Sequence, residues 1–374
     1  LKQCFIKEDQ TMRFIQQITV LLAGMLLMAA CGQAPASQPT AVPATDNTSA
    51  QPMLVMASTS IVADVVRQVG GDRVQVETIV PIGADTHGFE PTPQDLARVS
   101  EARVIFTVGA GYEEFIDRLI ASSGTQAEVV DLSANLALRA LTEAEATGHA
   151  HEEEHTDEHG TEAAGAAGDT HADDHSNTQA DAHGDEHGDE HADEHGAGSV
   201  DPHTWTDPAN VKIWTDLIYT TLSRLDPDHA EAYATRATDY KRQLDDLDRW
   251  IADQFASIPA ERRLLVSDHI IFGYMADKYG LRQLGAIIPG VSSSAAPSAQ
   301  ELAALQDLIA DYGVTAIFVG NVANQQIAEQ IARDTGVRII TVLTESLTDA
   351  NGPGATYLDY MRFNVQAIVD GLRS

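Results

Sequence analysis

Three histidines and one glutamate have the side chains and the placement of a divalent-metal site. His87 lies in "GADTHGFEPTP", after an apolar run that ends at Val80. His269 directly follows "LLVSD", Glu345 follows "IITVL", and His203 sits in "DPHTWTDP", ahead of Pro208. Three neutral imidazoles and one carboxylate make an N3O donor set, which suits four-coordinate Zn2+. Mn2+ prefers more oxygen donors, and intrinsic affinity rises towards Cu2+ and Ni2+. For any one of these histidines, a side chain satisfied within its own loop is the competing reading. The metal reading requires a fold that brings all four together.

The surrounding elements supply such a fold. From Met53, short apolar runs alternate with helical patterns: "MLVMAST", "VQVETIV", "RVIFTVG" and "EVVDLS" read as strands, and "YEEFIDRLIASS" reads as a helix. Thr92 followed by Pro93 is a helix start. The same grammar returns with the strands "RLLVSD", "RQLGAII", "VTAIFVG" and "VRIITVL". Here Ser298 and Glu301 form a capping box, and a last helix runs from about Thr356 to Leu372. The expected fold class is α/β, with two lobes, each a mainly parallel sheet flanked by helices. Ligands of such sheets gather outside the carboxyl ends of the strands, where His87, His269 and Glu345 fall. Between the lobes, Tyr233, Ala237, Tyr240, Leu244, Leu247 and Ile251 recur at helical spacing. They predict a long rigid helix over 227–256 joining the lobes, a peripheral helix being the alternative. The first lobe then spans 53–226 and the second 257–374, with the metal site between them.

Composition narrows the function. The chain of 374 residues is 43% hydrophobic, long enough for two domains and too apolar to lack a core. Its 56 Asp and Glu against 23 Lys and Arg leave a charge of −33. That excludes nucleic acid and an anionic membrane surface as partners. Cys4 and Cys31 are the only cysteines, too few for a disulfide scaffold or a Cys-rich zinc site. Residues 1–30 read as a signal peptide: Arg13 precedes the apolar run Phe14–Ala30, which is shorter than the ~20 residues a membrane span needs. Met12 is the more natural start, leaving 1–11 untranslated. Ala29, Ala30 and Cys31 resemble a bacterial lipobox, so Cys31 is the expected lipid attachment point, an ordinary secretory signal being the alternative. Residues 31–52 then form a flexible tether rich in Pro, Ser, Thr, Ala and Gln.

The segments "DTHGFEPTPQD", "DPHTWTDP", "SDHIIFGYMADKYGL" and "TESLTDANGPGATYLDYMRFN", in that order, resemble the signature blocks of the cluster A-I substrate-binding lipoproteins of metal-importing ABC transporters. The nearest subgroup is the zinc-specific, ZnuA-like one with the TroA-type fold. The resemblance extends over nearly all of 53–374. It implies a non-catalytic, exported carrier, lipid-anchored at the outer face of the cytoplasmic membrane or in the periplasm. Such a carrier acts as a monomer, takes Zn(II) as its transported ligand and hands it to a membrane permease driven by a cytoplasmic ATPase. The family's first three His ligands fall on His87, His203 and His269. The fourth, usually Asp and sometimes Glu or water, falls on Glu345. In the manganese subgroup the third position is commonly a carboxylate, so His269 favours zinc.

Metal-bound imidazoles usually donate their other N–H to a carboxylate or carbonyl. Asp201, Asp207 and Asp268 are the nearest in sequence, each with a helix cap or surface role as the alternative. Trp205 and Tyr274 are candidate walls, or simply core. Glu90 has no assigned ligand role, and His229 is expected in solvent. The segment 148–198 holds sixteen acids, no Lys or Arg, and ten histidines: His149, His151, His155, His159, His171, His175, His183, His187, His191 and His195. Without Val, Ile, Leu, Phe or Trp it cannot build a core. It reads as a weaker metal-collecting loop, or as a solvated acidic insert. The competing functions are a manganese carrier, a zinc hydrolase and a surface adhesin. No H-E-x-x-H pattern stands beside the four candidate ligands to support the hydrolase.

Overall fold

Apolar strands of four or five residues, each followed by a helix, build two parallel sheets. The computed structural model describes residues 52–142, 145–146, 200–293, 295–321, 323 and 325–373. The expectations for Cys31, the signal and tether, and the ten histidines from His149 to His195 lie outside the described residues.

The first sheet has the order β2 (Val74–Thr78), β1 (Met53–Ala57), β3 (Val104–Thr107), β4 (Glu128–Asp131), with every pairing parallel. The second repeats the plan as β6 (Arg282–Ala286), β5 (Leu264–Ser267), β7 (Ala316–Gly320), β8 (Arg338–Val342). Helices α1 (Ser60–Gly70), α2 (Pro93–Ser100) and α3 (Ile116–Ser123) belong to the first sheet. Helices α6 (Gly273–Tyr279), α7 (Ala299–Tyr312), α8 (Gln325–Thr335) and α9 (Tyr357–Arg373) belong to the second. The Ser298–Glu301 capping box forms on α7, and the Thr92 helix start proves to be a second one, with Asp95, on α2. Each satisfies backbone N–H groups that a helix start leaves open.

Helix α3 starts at Ile116 rather than at Tyr112. The buried Glu113 carboxylate accepts the Val108 and Gly109 N–H groups at 2.7 and 3.1 Å. It thereby folds residues 108–115 into a loop in which Gly109, Ala110 and Gly111 all have positive φ. Ala110, at φ 54°, has the left-handed backbone that side chains disfavour.

Between the sheets run α4 (Pro208–Leu225) and α5 (Ala230–Ala256). The 27 residues of α5 reach about 40 Å. Its stripe of Tyr233, Ala237, Tyr240, Leu244, Leu247, Ile251 and Phe255 is buried. This face packs on α4 and α1 of the first lobe and on α9 of the second, so one hydrophobic core runs through both lobes. Two smaller cores lie on the outer faces, one around Ile79, Val99 and Phe115, the other around Val266, Ile309 and Ile331. Hydrogen bonds also join the lobes: the Tyr357 N–H donates to Asp64 at 2.9 Å and the Leu347 N–H to Ser60 at 2.9 Å. No described helix is long and apolar enough to cross a membrane.

Candidate metal centre

His87, His269 and Glu345 follow the carboxyl ends of β2, β5 and β8, and His203 lies just ahead of α4. His87 is carried by the loop between β2 and α2. Its backbone N–H donates to Asp85 two residues earlier, at 2.9 Å, and Ser293 of the second lobe donates its hydroxyl to the same carboxylate at 2.9 Å. His203 is carried by the connection from β4 to α4. Asp201 Oδ1 accepts its N–H at 3.0 Å and lies 2.9 Å from its Nδ1. With Asp201 Oδ1 as the acceptor, the imidazole proton belongs on Nδ1, and Nε2 has no partner. His269 follows β5. Asp268 takes the His269 N–H at 3.0 Å and the Gly320 N–H at 2.9 Å, and it lies 3.2 Å from His269 Nδ1. Glu345 follows β8, on a segment braced by Asn364, whose side chain bonds both the N–H and the C=O of Leu343.

These loops converge. One ring nitrogen from each of His87, His203 and His269 lies within 4.8 Å of the others. Glu345 stands at the margin. Its Oε1 is 3.8 Å from His269 Nε2, while Oε2 accepts the Thr86 N–H at 2.9 Å. It is not part of the tight three-imidazole group. His203, His269 and Glu345 are buried, and His87 is partly open. His87 Nε2, His203 Nε2, both nitrogens of His269 and Glu345 Oε1 are buried with no hydrogen-bond partner. Folded proteins rarely strand so many polar atoms in one place. A shared cation satisfies one nitrogen of each imidazole together with Glu345 Oε1, while His269 Nδ1 faces Asp268, and the donor types fit a borderline divalent ion. Aromatic rings wall the group: Tyr112 lies edge-on to His87 at 5.0 Å, and Trp205 lies 5.2 Å from His203. A cavity of about 170 Å³, lined by His87, Gly111, Glu114, Pro202 and Val291, opens beside His87.

The electrostatics keep two of the three imidazoles neutral. Burial, then the charges of His203 and His269, push the His87 imidazole down to about 3. Burial, then His269, hold His203 well below the usual range. Burial also works against a charged His269, but the charge and contact of Asp268, then Glu345, outweigh it and raise its pKa. Burial raises the Glu345 carboxyl to about 7, against the pull of His269. Two imidazoles, His87 and His203, thus present lone pairs, and the upward shifts at His269 and Glu345 favour the protonated forms there.

Of the residues expected to support the ligands, Asp201 and Asp268 are in place. Asp207 is not: it caps α4 by accepting the Ala209 N–H at 2.7 Å and pairs with Lys278 at 2.6 Å, because it lies on the far side of the turn that carries His203. Trp205 is a wall. Tyr274 is not. It donates to the Asp201 carbonyl at 2.8 Å and accepts the Arg139 N–H at 3.0 Å, bracing the segment behind His203. Glu90 is exposed. His229 is half-buried, not in open solvent, because it pairs with Asp226 at the start of α5. Tyr112, Asp85 and the Thr86 N–H are site groups beyond those the sequence reading singles out. The position of Asp85 two residues before His87 is a usable signal, since Asx turns have that spacing. Nothing local marks Tyr112.

A family model described as zinc-uptake complex component A, periplasmic, matches residues 55–371. The manganese-binding lipoprotein MntA of Halalkalibacterium halodurans is 28% identical over 85% of this chain and 88% of its own. The manganese ABC transporter substrate-binding lipoprotein PsaA of Streptococcus mitis is 25% identical over 96% and 99%. Among solved structures, the periplasmic zinc-binding protein TroA from Treponema pallidum superposes with a TM-score of 0.67 at 22% identity, over 86% of this chain and 99% of that one.

Proposed function

We propose that this chain, which belongs to the periplasmic zinc-uptake component A family, carries Zn(II) on His87, His203 and His269, with Glu345 as a weaker fourth donor. The chain is the substrate-binding protein of a metal ABC transporter, a carrier and not an enzyme, and it works with a membrane permease and its ATPase. It is exported, as the family is periplasmic and the relatives are lipoproteins. Cys31 is the proposed anchor.

The observation that carries the zinc reading is the convergence of three imidazoles on one buried point, with their free nitrogens facing each other. A nitrogen-rich, low-coordinate set favours zinc over oxygen-seeking Mn2+. Manganese is the second reading, favoured by the names of MntA and PsaA. Competitive titration of the metal-stripped protein with both ions separates the two. Zinc displacing manganese from the three-imidazole site supports the proposal; manganese retained there against excess zinc overturns it. The tract 148–198 is proposed to gather metal for this site, because Val200, just beyond it, lines the cavity beside His87. Zinc stoichiometry unchanged after deletion of the tract sinks that role.

A further inference from the structure

Behind His203 lies a largely buried cation that the metal site itself does not use. Arg139, on the segment after β4, has a side chain only 11% exposed. It donates to Glu145 at 2.5 Å and to Asp277 of α6 at 2.8 Å. Its Nη1 stands 3.6 Å from Asp201 Oδ2. Glu145 has further donors, the N–H and hydroxyl of Thr142 at 3.0 Å, and Asp277 is 64% exposed. Asp201 differs from both. It is fully buried, and its Oδ2 has no hydrogen bond. Arg139 is the one Lys or Arg within ion-pair reach of it among the described residues. A buried carboxylate without a cation is costly, so the Asp201 that grips His203 depends on Arg139.

The backbone enforces the pairing. The Asp201 N–H donates to the Arg139 carbonyl at 2.8 Å, and the Tyr274 hydroxyl bridges the two residues from the other side. Gly273, at the start of α6, leaves room for both side chains: a Cβ there would stand 2.3 Å from Asp201 Oδ2 and 2.7 Å from Arg139 Nη1. We propose that Arg139 is a positioning residue for His203. It holds the Asp201 carboxylate against Nδ1, so that Nε2 faces the other two imidazoles. Since Tyr274, Asp277 and Gly273 all belong to α6, a ligand of the first lobe is oriented by a helix of the second. The proposal rests on His203 being a metal ligand, which His203→Ala tests separately.

The experiment uses the full chain with 15N-labelled histidine. It reads the His203 tautomer by NMR in the metal-free state and zinc affinity by chelator competition. Wild type should show a single tautomer protonated on Nδ1. Arg139→Met and Gly273→Ala should each give a mixed or inverted tautomer and bind zinc about 10–100-fold more weakly, as lost outer-shell partners typically do. Arg139→Lys, which keeps charge but not the fork, should fall between. If Arg139→Met fails to fold, Gly273→Ala and Arg139→Lys carry the test. A wild-type tautomer in the folded variants overturns the proposal, whether or not affinity falls. If His203→Ala binds zinc like wild type, the ligand reading fails, and the tautomer still reports on Arg139 alone.

Discussion

Replacing Asp268 by Asn tests whether the site is held by its carboxylates or only by loop packing. Asp268 is buried, and each oxygen has its own backbone donor: Oδ1 takes the His269 N–H and Oδ2 the Gly320 N–H. An amide has one acceptor, so one of the two N–H groups must face an NH2. A buried donor left unpaired costs about 1–3 kcal/mol, and that is the expected loss of stability for Asp268→Asn without metal. Urea unfolding at neutral pH should show it as a lower midpoint with unchanged slope. The same substitution removes the charge beside His269 Nδ1, and zinc should bind about 10–100-fold more weakly. The effect has a pH signature. Burial disfavours the Asp268 carboxylate, but His269 and the two N–H groups outweigh it and hold its pKa below the usual 3.8. A depressed folded pKa means that this stabilisation is fully present above the unfolded value and is lost as pH falls through the folded one. The gap between wild type and variant should therefore narrow only below about pH 4. A variant within about 0.5 kcal/mol of wild type at neutral pH, with unchanged zinc affinity, would refute the assignment.

Metal uptake near neutral pH should release protons from His269 and Glu345 only, because His87 and His203 are held far below the usual imidazole range. Isothermal titration in buffers of contrasting ionisation enthalpy measures this; more than two protons released per ion contradicts it. Affinity should weaken as pH falls through about 7, where Glu345 takes up its proton. Gly320→Ala would place a Cβ 2.5 Å from Thr344 Oγ1 and 2.7 Å from Asp268 Oδ2, and should cost about 1–3 kcal/mol through overpacking. Wild-type urea stability would show that the contact relaxes freely. Glu345→Gln can keep the bond from Thr86 and should weaken zinc binding less than His269→Ala does, measured by chelator competition; equal losses would place the carboxylate on a par with the imidazoles.

What the sequence made legible was either local or set by a general rule of the fold. The Thr92–Pro93 helix start and the Ser298–Glu301 capping box need only neighbours in the chain. His87, His269 and Glu345 were visible as ligand candidates because parallel sheets deliver the loops after their strands to one side. Spacing alone could not choose between Asp201 and Asp207, which stand two residues before and four after His203. The turn decides it: Asp201 reaches both the N–H and Nδ1 of His203, while Asp207 is turned away to start α4. Tyr112 and Arg139 were illegible for another reason. Their roles exist only through contacts with partners distant in sequence, Tyr112 with His87 and His203, Arg139 with α6.

That division has a mechanical consequence. The donor set is assembled by four loops, but the groups that fix the orientation of those donors cross between lobes. The Asp85 carboxylate beside His87 takes the Ser293 hydroxyl, the Thr86 N–H holds Glu345, and Tyr274 braces Asp201. Each lobe therefore carries candidate ligands that the other lobe aims. On the proposed site, a change in lobe contact that broke these bonds would free His87, Asp201 and Glu345 together, so the orientation of the candidate donors is tied to the interface.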